Sequence, residues 1–335
     1  MTRSQAILVA AMLLFPACHN LGRAQTLPRT ILEIDVENYV AYNEDTSDPS
    51  KFATDPNVTP SVLPRTFGFF VQIADIVAVN GQPAKGTLTR NSRALNLTPA
   101  PAPGQSIADT VRGAVSADTF EILKSDGTPI GTIASYGLGA GSAAPGAPLS
   151  ITRGNFAILG GTGAFLGARG QIGNSNLGGN PRSASVTEDP ANRQRNGGTR
   201  TRYVLEVIPA FQPQIVMTPD GPAVTHSSDF AMVTSSKPAT AGEILSLFVT
   251  GLGPTVPGVD PGKPFPASPL AVVNSPVDVR VNGKSAEVTS AVGFPGAVDG
   301  YQVNFRVPSD VAKGPAILQV SAAWITGPGV TIATQ

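Results

Sequence analysis

The chain has 335 residues, 14% of them charged, and its 23 basic and 23 acidic side chains cancel at pH 7. With no basic surplus to neutralise phosphates, the composition argues against nucleic acid as a partner. The 36 glycines and 31 prolines weaken helix interiors and mark turns, so an all-β chain of two domains is expected.

Arg3 followed by the apolar run 6–15 reads as a secretory signal, too short to span a bilayer. Gly22-Arg23-Ala24 supplies small residues for cleavage, which makes 1–24 the signal and Gln25 the new start. A rival site is Cys18, where lipoprotein processing would acylate the thiol and anchor the chain. Phe15 and Pro16 depart from the usual lipoprotein pattern, so free secretion is the favoured expectation. Cleavage after Ala24 removes Cys18, the only cysteine, and His19, leaving His226 as the one histidine. Disulfides, thiol nucleophiles and Cys/His zinc sites then drop out. No later apolar run reaches transmembrane length.

Behind the signal, residues 30–42 alternate. Leu32, Ile34 and Val36 oppose Glu33, Asp35 and Glu37, the pattern of a half-buried strand with its acids on the solvent face. Residues 43–64 are polar and proline-rich, a long loop in which Asp45, Asp48 and Asp55 lack calcium-loop spacing. Residues 66–80 form a β-branched, aromatic strand turning at Asn80-Gly81, and 85–97 alternate again. The Pro/Ala stretch 99–104 is a stiff connector. Asp126-Gly127 between the apolar runs 119–123 and 129–136 predicts a hairpin. Residues 150–159 read as a strand, Gly160-Gly161-Thr162-Gly163 as a turn, and 164–172 as the next strand. A polar surface excursion, 174–198, precedes the closing strand 199–208. Residues 209–213 form a linker. Short strands at 243–250, 277–281, 286–291, 301–307, 316–322 and 330–333, with a turn at Asn282-Gly283, then suggest a sandwich.

The glycine run after residue 159 admits two readings. Gly161-Thr-Gly163-Ala-Phe-Leu-Gly167 follows an apolar strand, as a phosphate-binding turn does. A dinucleotide fold needs a helix next, and Gly167, Gly170 and Gly173 interrupt one. The alternative is a tight turn between strands of a barrel, where glycine allows positive φ and close strand approach.

Gly160-Gly161-Thr162-Gly163, Phe165 and Gly167-Ala168-Arg169-Gly170 resemble the allene oxide cyclase and dirigent superfamily. Weaker likeness runs back through 120–155 and forward to 203–207, about half the chain. The resemblance implies an eight-stranded antiparallel β-barrel over 30–209, an apolar cavity, and assembly through the barrel, often as trimers. Arg169 matches the arginine of the dirigent Ala-Arg-Gly, and Asn43 the cyclase asparagine near the first strand. Ala164 stands where dirigent barrels carry an acid, Ala41 or Tyr42 falls at the cyclase glutamate, and the cyclase cysteine has no counterpart. Among the acids on alternating strands, Asp35, Glu37 and Glu121, Glu121 is the further candidate. Arg169, Asn43 and Glu121 are thus the candidate catalytic residues, acting as acid or hydrogen-bond donors in the cavity. No cofactor or metal is expected.

Gly251-Leu-Gly-Pro254, Val281-Asn-Gly283, Phe294-Pro-Gly296 and 300–308 resemble an Ig-like C-terminal module of secreted soil-bacterial proteins. That implies a β-sandwich over 214–335 with an accessory or surface role. His226-Ser227-Ser228-Asp229 holds triad residue types, but sequence neighbours form no relay by themselves. The expected protein is secreted and all-β, a barrel followed by an Ig-like β-sandwich. It binds, and isomerises or orients, a small apolar molecule in the barrel, or else serves as a non-catalytic envelope or matrix scaffold. Lumen polarity separates these readings.

Overall fold

The computed structural model describes residues 28–43, 66–96, 113–139, 154–185, 188–189 and 191–335. The expected signal segment 1–24 with Cys18, the acids at 45, 48 and 55, and the expected connector 99–104 lie outside them.

Among the described residues, nine strands and one short helix make the first unit. These are β1 (Thr30–Asn43), β2 (Thr66–Val79), β3 (Gln82–Asn96), β4 (Gly113–Lys124) and β5 (Pro129–Gly139), followed by β6 (Gly154–Gly163), β7 (Arg169–Gly179) and β8 (Arg182–Ser185). The helix α1 (Asn192–Asn196) and strand β9 (Thr199–Ile208) complete it. Antiparallel pairing runs from β1 through β2–β7 to β9 and returns to β1, which closes eight strands into a barrel. Ile34 shows the closure, since it pairs with Val79 on one side and Tyr203 on the other. Closure pairs these eight strands on both sides, as an open sheet cannot. The alternation seen in the sequence sends Leu32, Ile34 and Val36 into the barrel core, fully buried. Near its end β1 leaves β9, and β8 pairs in parallel with Val40–Asn43 there.

The two barrel ends differ. The lower end carries the turns at 80–81, 124–128 and 164–168. The upper end is where β1, β3, β5 and β7 finish. Residues 160–163 were expected to turn, but they extend β6, and the turn falls at 164–168. Backbone proximity explains the shift. A Cβ on Gly161 would stand 2.4 Å from the Phe165 carbonyl oxygen and 2.5 Å from that of Thr132. These glycines let β5, β6 and the turn pack closer than side chains allow. The excursion expected at 174–198 is also shorter, because Asn174 and Asn176 continue β7 along β9.

The second unit is one curled sheet. Its strands are β10 (Gln214–Ile215), β13 (Val224–His226), β14 (Ile244–Thr250), β15 (Thr255–Val256), β16 (Val272–Val273), β17 (Val277–Val281), β18 (Lys284–Gly293), β19 (Gly300–Arg306), β20 (Gly314–Ala322), β21 (Ile325–Thr326) and β22 (Val330–Thr334), with β11 (Met217–Thr218) and β12 (Gly221–Pro222) paired separately. β18 pairs with β17 through its first residues and with β19 beyond them, with an irregularity between Val288 and Ser290. The sheet thereby folds over a core including Leu245, Leu247, Val279, Val303, Phe305 and Leu318. The described residues form an all-β fold, a barrel followed by a sandwich-like unit.

The units meet at the lower end. Ala323 and Ile325, on the turn from β20 to β21, are buried within the barrel's hydrophobic cluster, beside Phe165 and Ala168 of the 164–168 turn. Among the described residues no helix is long and apolar enough to cross a membrane.

The connection from β7 to β9 is latched outside the barrel wall. Arg193 on α1 donates to both carboxylate oxygens of Asp75 and to the Asn38 carbonyl at 3.1 Å, and Asn38 Nδ2 donates to Asp75 at 2.9 Å. Partial burial pushes the Asp75 carboxyl up, but hydrogen bonds from Arg193 and Asn38 outweigh it and hold the group below the usual carboxylate range. A carboxylate lowered on folding stabilises above its unfolded value of about 4 and loses that contribution as pH falls through the folded value. Asp75→Asn should therefore cost roughly 1–2 kcal/mol above pH 5, with the difference in Tm shrinking towards zero below pH 4. A Tm difference that stays constant with pH would remove the charge from the account.

Candidate functional site

The lower lumen is filled. Leu32, Ile34, Leu88, Ile122, Ile130, Ile133, Ile158 and Ile172 are almost wholly buried, and Phe165 closes the lower end. Any ligand-sized space in the barrel therefore has to lie towards the upper end.

Above this plug the lumen turns polar. On β3, Leu88, Arg90 and Ser92 are spaced by two, and on β4 so are Ser116, Asp118 and Phe120. Arg90 lies directly opposite Asp118, and Ser92 opposite Ser116. The Arg90 guanidinium grips Asp118 through Nε at 2.6 Å and Nη2 at 2.9 Å. Asp118 accepts a further bond from Ser135 of β5 at 3.2 Å, and the Ser92 and Ser116 hydroxyls meet at 2.7 Å. The Asp118 side chain is 0% exposed and that of Arg90 12%. The guanidinium also sits over the Phe156 ring at 4.8 Å and near the Tyr203 ring at 5.8 Å. Phe156 is on β6 and Tyr203 on β9, so Arg90 of β3 reaches across the lumen. Phe120 and Tyr203 stack edge to face at 5.2 Å across the same space.

Charge and hydrogen bonding in this layer are set by burial. Burial opposes the Arg90 charge, but the Tyr203, Asp118 and Tyr39 oxygens outweigh it and raise the guanidinium above its usual value. Burial pushes the Tyr203 phenol well above its usual value and raises that of Tyr39. Both phenols are therefore neutral O–H donors at pH 7. Tyr39 donates to Gln72 Oε1 at 2.5 Å. The layer thus offers a fixed cation, its carboxylate, two phenols and aromatic faces, all preorganised.

The sequence-predicted residues lie elsewhere. Arg169 begins β7 at the lower end, is exposed, and donates Nη1 to the Leu159 and Ala168 carbonyls. Glu121 is exposed on β4, between the lumen-facing Phe120 and Ile122. Asn43 ends β1, paired with Phe70 and Ser185, and its side chain lies outside the described residues. The three are not brought together. His226 is buried in the second unit, 3.1 Å from Glu243 and 3.2 Å from the Lys237 carbonyl, while Ser227 bonds Ser246 and Asp229 bonds Lys237. The triad residue types therefore face different partners. Among the described residues no cluster of His, Cys, Asp and Glu could hold a metal.

Sequence reading missed Arg90 and Asp118, although a signal was present. Each is a charged residue on the face that its strand's Leu88 or Phe120 marks as inward. Compared with known proteins, the chain matches no family model, no curated protein and no solved structure.

Proposed function

We propose that the barrel binds and orients a small, mainly apolar molecule in its upper lumen, above the Phe165 plug. The observation that carries this reading is the Arg90 guanidinium held across the lumen between Asp118 and the rings of Phe156 and Tyr203. A buried ion pair is a poor route to stability, since apolar residues of similar volume generally do as well or better. A site for an oxygen-bearing apolar ligand needs what this layer offers: aromatic walls and a few fixed polar groups. The neutral Tyr203 hydroxyl and the Arg90 guanidinium would donate to a ligand oxygen, while the Phe156 and Phe120 rings contact its apolar body. In this reading the chain is an exported relative of the allene oxide cyclase and dirigent barrels, and its second unit is an Ig-like accessory module.

The filled lower lumen favours a second reading, a non-catalytic scaffold. One experiment separates the two. The probe is 2-naphthol, an aromatic body with a single hydroxyl, titrated by calorimetry. Saturable one-site binding is expected, weakened tenfold or more in the double variant Arg90→Leu/Asp118→Leu. Native mass spectrometry after exposure to a metabolite extract should show a retained adduct. A bare protein peak together with no naphthol binding would leave the scaffold reading standing.

A further inference from the structure

A second cleft lies outside the barrel. It has a volume of about 690 Å³ and separates the 80–82 turn of the barrel from the outer face of β17 and β20. That size is within the roughly 300–1,000 Å³ typical of small-molecule sites. We propose that this cleft binds a neutral oligosaccharide.

Strand alternation builds its polar wall. Val279 and Val281 are buried in the core of the second unit, which leaves Asp278 and Arg280 on the outer face. Gln319 of β20 stands directly opposite Arg280. Asp278 accepts from Arg280 Nε at 2.7 Å and from the Ser285 hydroxyl at 2.6 Å. Among the described residues, the Arg280 Nη groups and the side-chain amides of Gln319 and Gln82 have no protein hydrogen bond. The barrel thus supplies one unpaired amide, and the second unit supplies another amide and a guanidinium.

The chemistry of these groups narrows the ligand class. Asp278 matches the Arg280 charge, so the cleft presents no net cation to a phosphate or carboxylate. Each amide carries both donors and an acceptor, which suits hydroxyls that donate and accept at once. Trp324 lines the same cleft and is the only tryptophan in the chain. An indole provides a flat apolar face for the C–H side of a sugar ring.

The conformation of Trp324 is also unusual. Ala323 and Trp324 both have positive φ, 48° and 64°. Asn282-Gly283 makes the same kind of two-residue hairpin with residues that tolerate those angles. A bulky residue in the left-handed region is strained, and such strain concentrates at ligand sites. Ala323 and Ile325 are buried in the barrel's hydrophobic cluster, and Trp324 between them packs against that cluster while staying partly exposed along the cleft.

The lone tryptophan makes the test direct, because its fluorescence reports this cleft alone. Cellotetraose, maltotetraose and chitotetraose are titrated in turn into the full chain. At least one should give a saturable change. Arg280→Ala and Gln319→Ala should each weaken that binding tenfold or more, and Gln82→Ala should do the same from the barrel side. Far-UV circular dichroism checks that the variants fold, and 2-naphthol binding should be unchanged in all three, which separates this site from the lumen. No saturable change with any of the sugars at millimolar concentration would overturn the proposal. So would a change that persists at equal affinity in the folded variants.

Discussion

Asp118→Ala should destabilise the protein by about 3–5 kcal/mol, the usual cost of stranding one member of a buried ion pair. Asp118 is the carboxylate that Arg90 grips with two hydrogen bonds inside the barrel, and its side chain has no exposure. Removing it leaves a guanidinium enclosed by Phe156 and Tyr203 and unable to reach full solvation. The double variant Arg90→Met/Asp118→Leu should behave differently. It removes both charges and both desolvation costs, so its stability should lie between that of the parent and about 2 kcal/mol above it. Urea unfolding of parent, single and double variants, followed by circular dichroism, gives the coupling between the two residues. A loss below 1 kcal/mol for Asp118→Ala would mean that water reaches the pair freely. The comparison bears on function as well as stability. If the apolar pair is at least as stable, stability alone does not explain the ion pair, and a role in binding gains.

The same residues show how far the sequence could be read. The barrel strands were legible because alternation and turn chemistry are local. Asn80-Gly81, Asp126-Gly127 and Asn282-Gly283 all form the tight turns that their residues favour. Glycine marks turns, so the Gly160-Gly163 run has a turn's composition, but here it serves close strand approach, which depends on the neighbouring strand. The hairpin at Ala323-Trp324 carries no turn signal at all. Its conformation is fixed by docking against the barrel, a tertiary effect that no local rule anticipates. The candidate site follows the same division. Arg90 lies within the alternating stretch 85–97 and Asp118 just before the apolar run 119–123, and only barrel closure makes their shared face an interior. Family likeness instead drew attention to Arg169, whose side chain is on the outer surface.

Gly170→Ala should cost about 4 kcal/mol or more, enough to prevent the barrel from closing in its present form. Gly170 is the last residue of Gly-Ala-Arg-Gly, and its role can be argued without any ligand. Its φ is 143°, a region that side-chain-bearing residues rarely adopt. A Cβ at this position would lie 1.8 Å from the Glu206 carbonyl oxygen and 3.0 Å from its carbon. Glu206 is backbone of β9, paired beside Gly170 with no flexible end to swing away. Relief therefore requires β7 to move off β9, and the β7–β9 ladder is, with the β9–β1 ladder, one of the pairings that close the barrel. Gly81→Ala is the control. Gly81 has a φ of 74°, but a Cβ there meets nothing within 4 Å. Its cost should be limited to the left-handed penalty of about 1–2 kcal/mol. Urea midpoints of the two variants and the parent decide the matter. A Gly170→Ala loss no greater than that of Gly81→Ala would show that β7 can yield, and the motif glycine would then need an explanation other than strand contact.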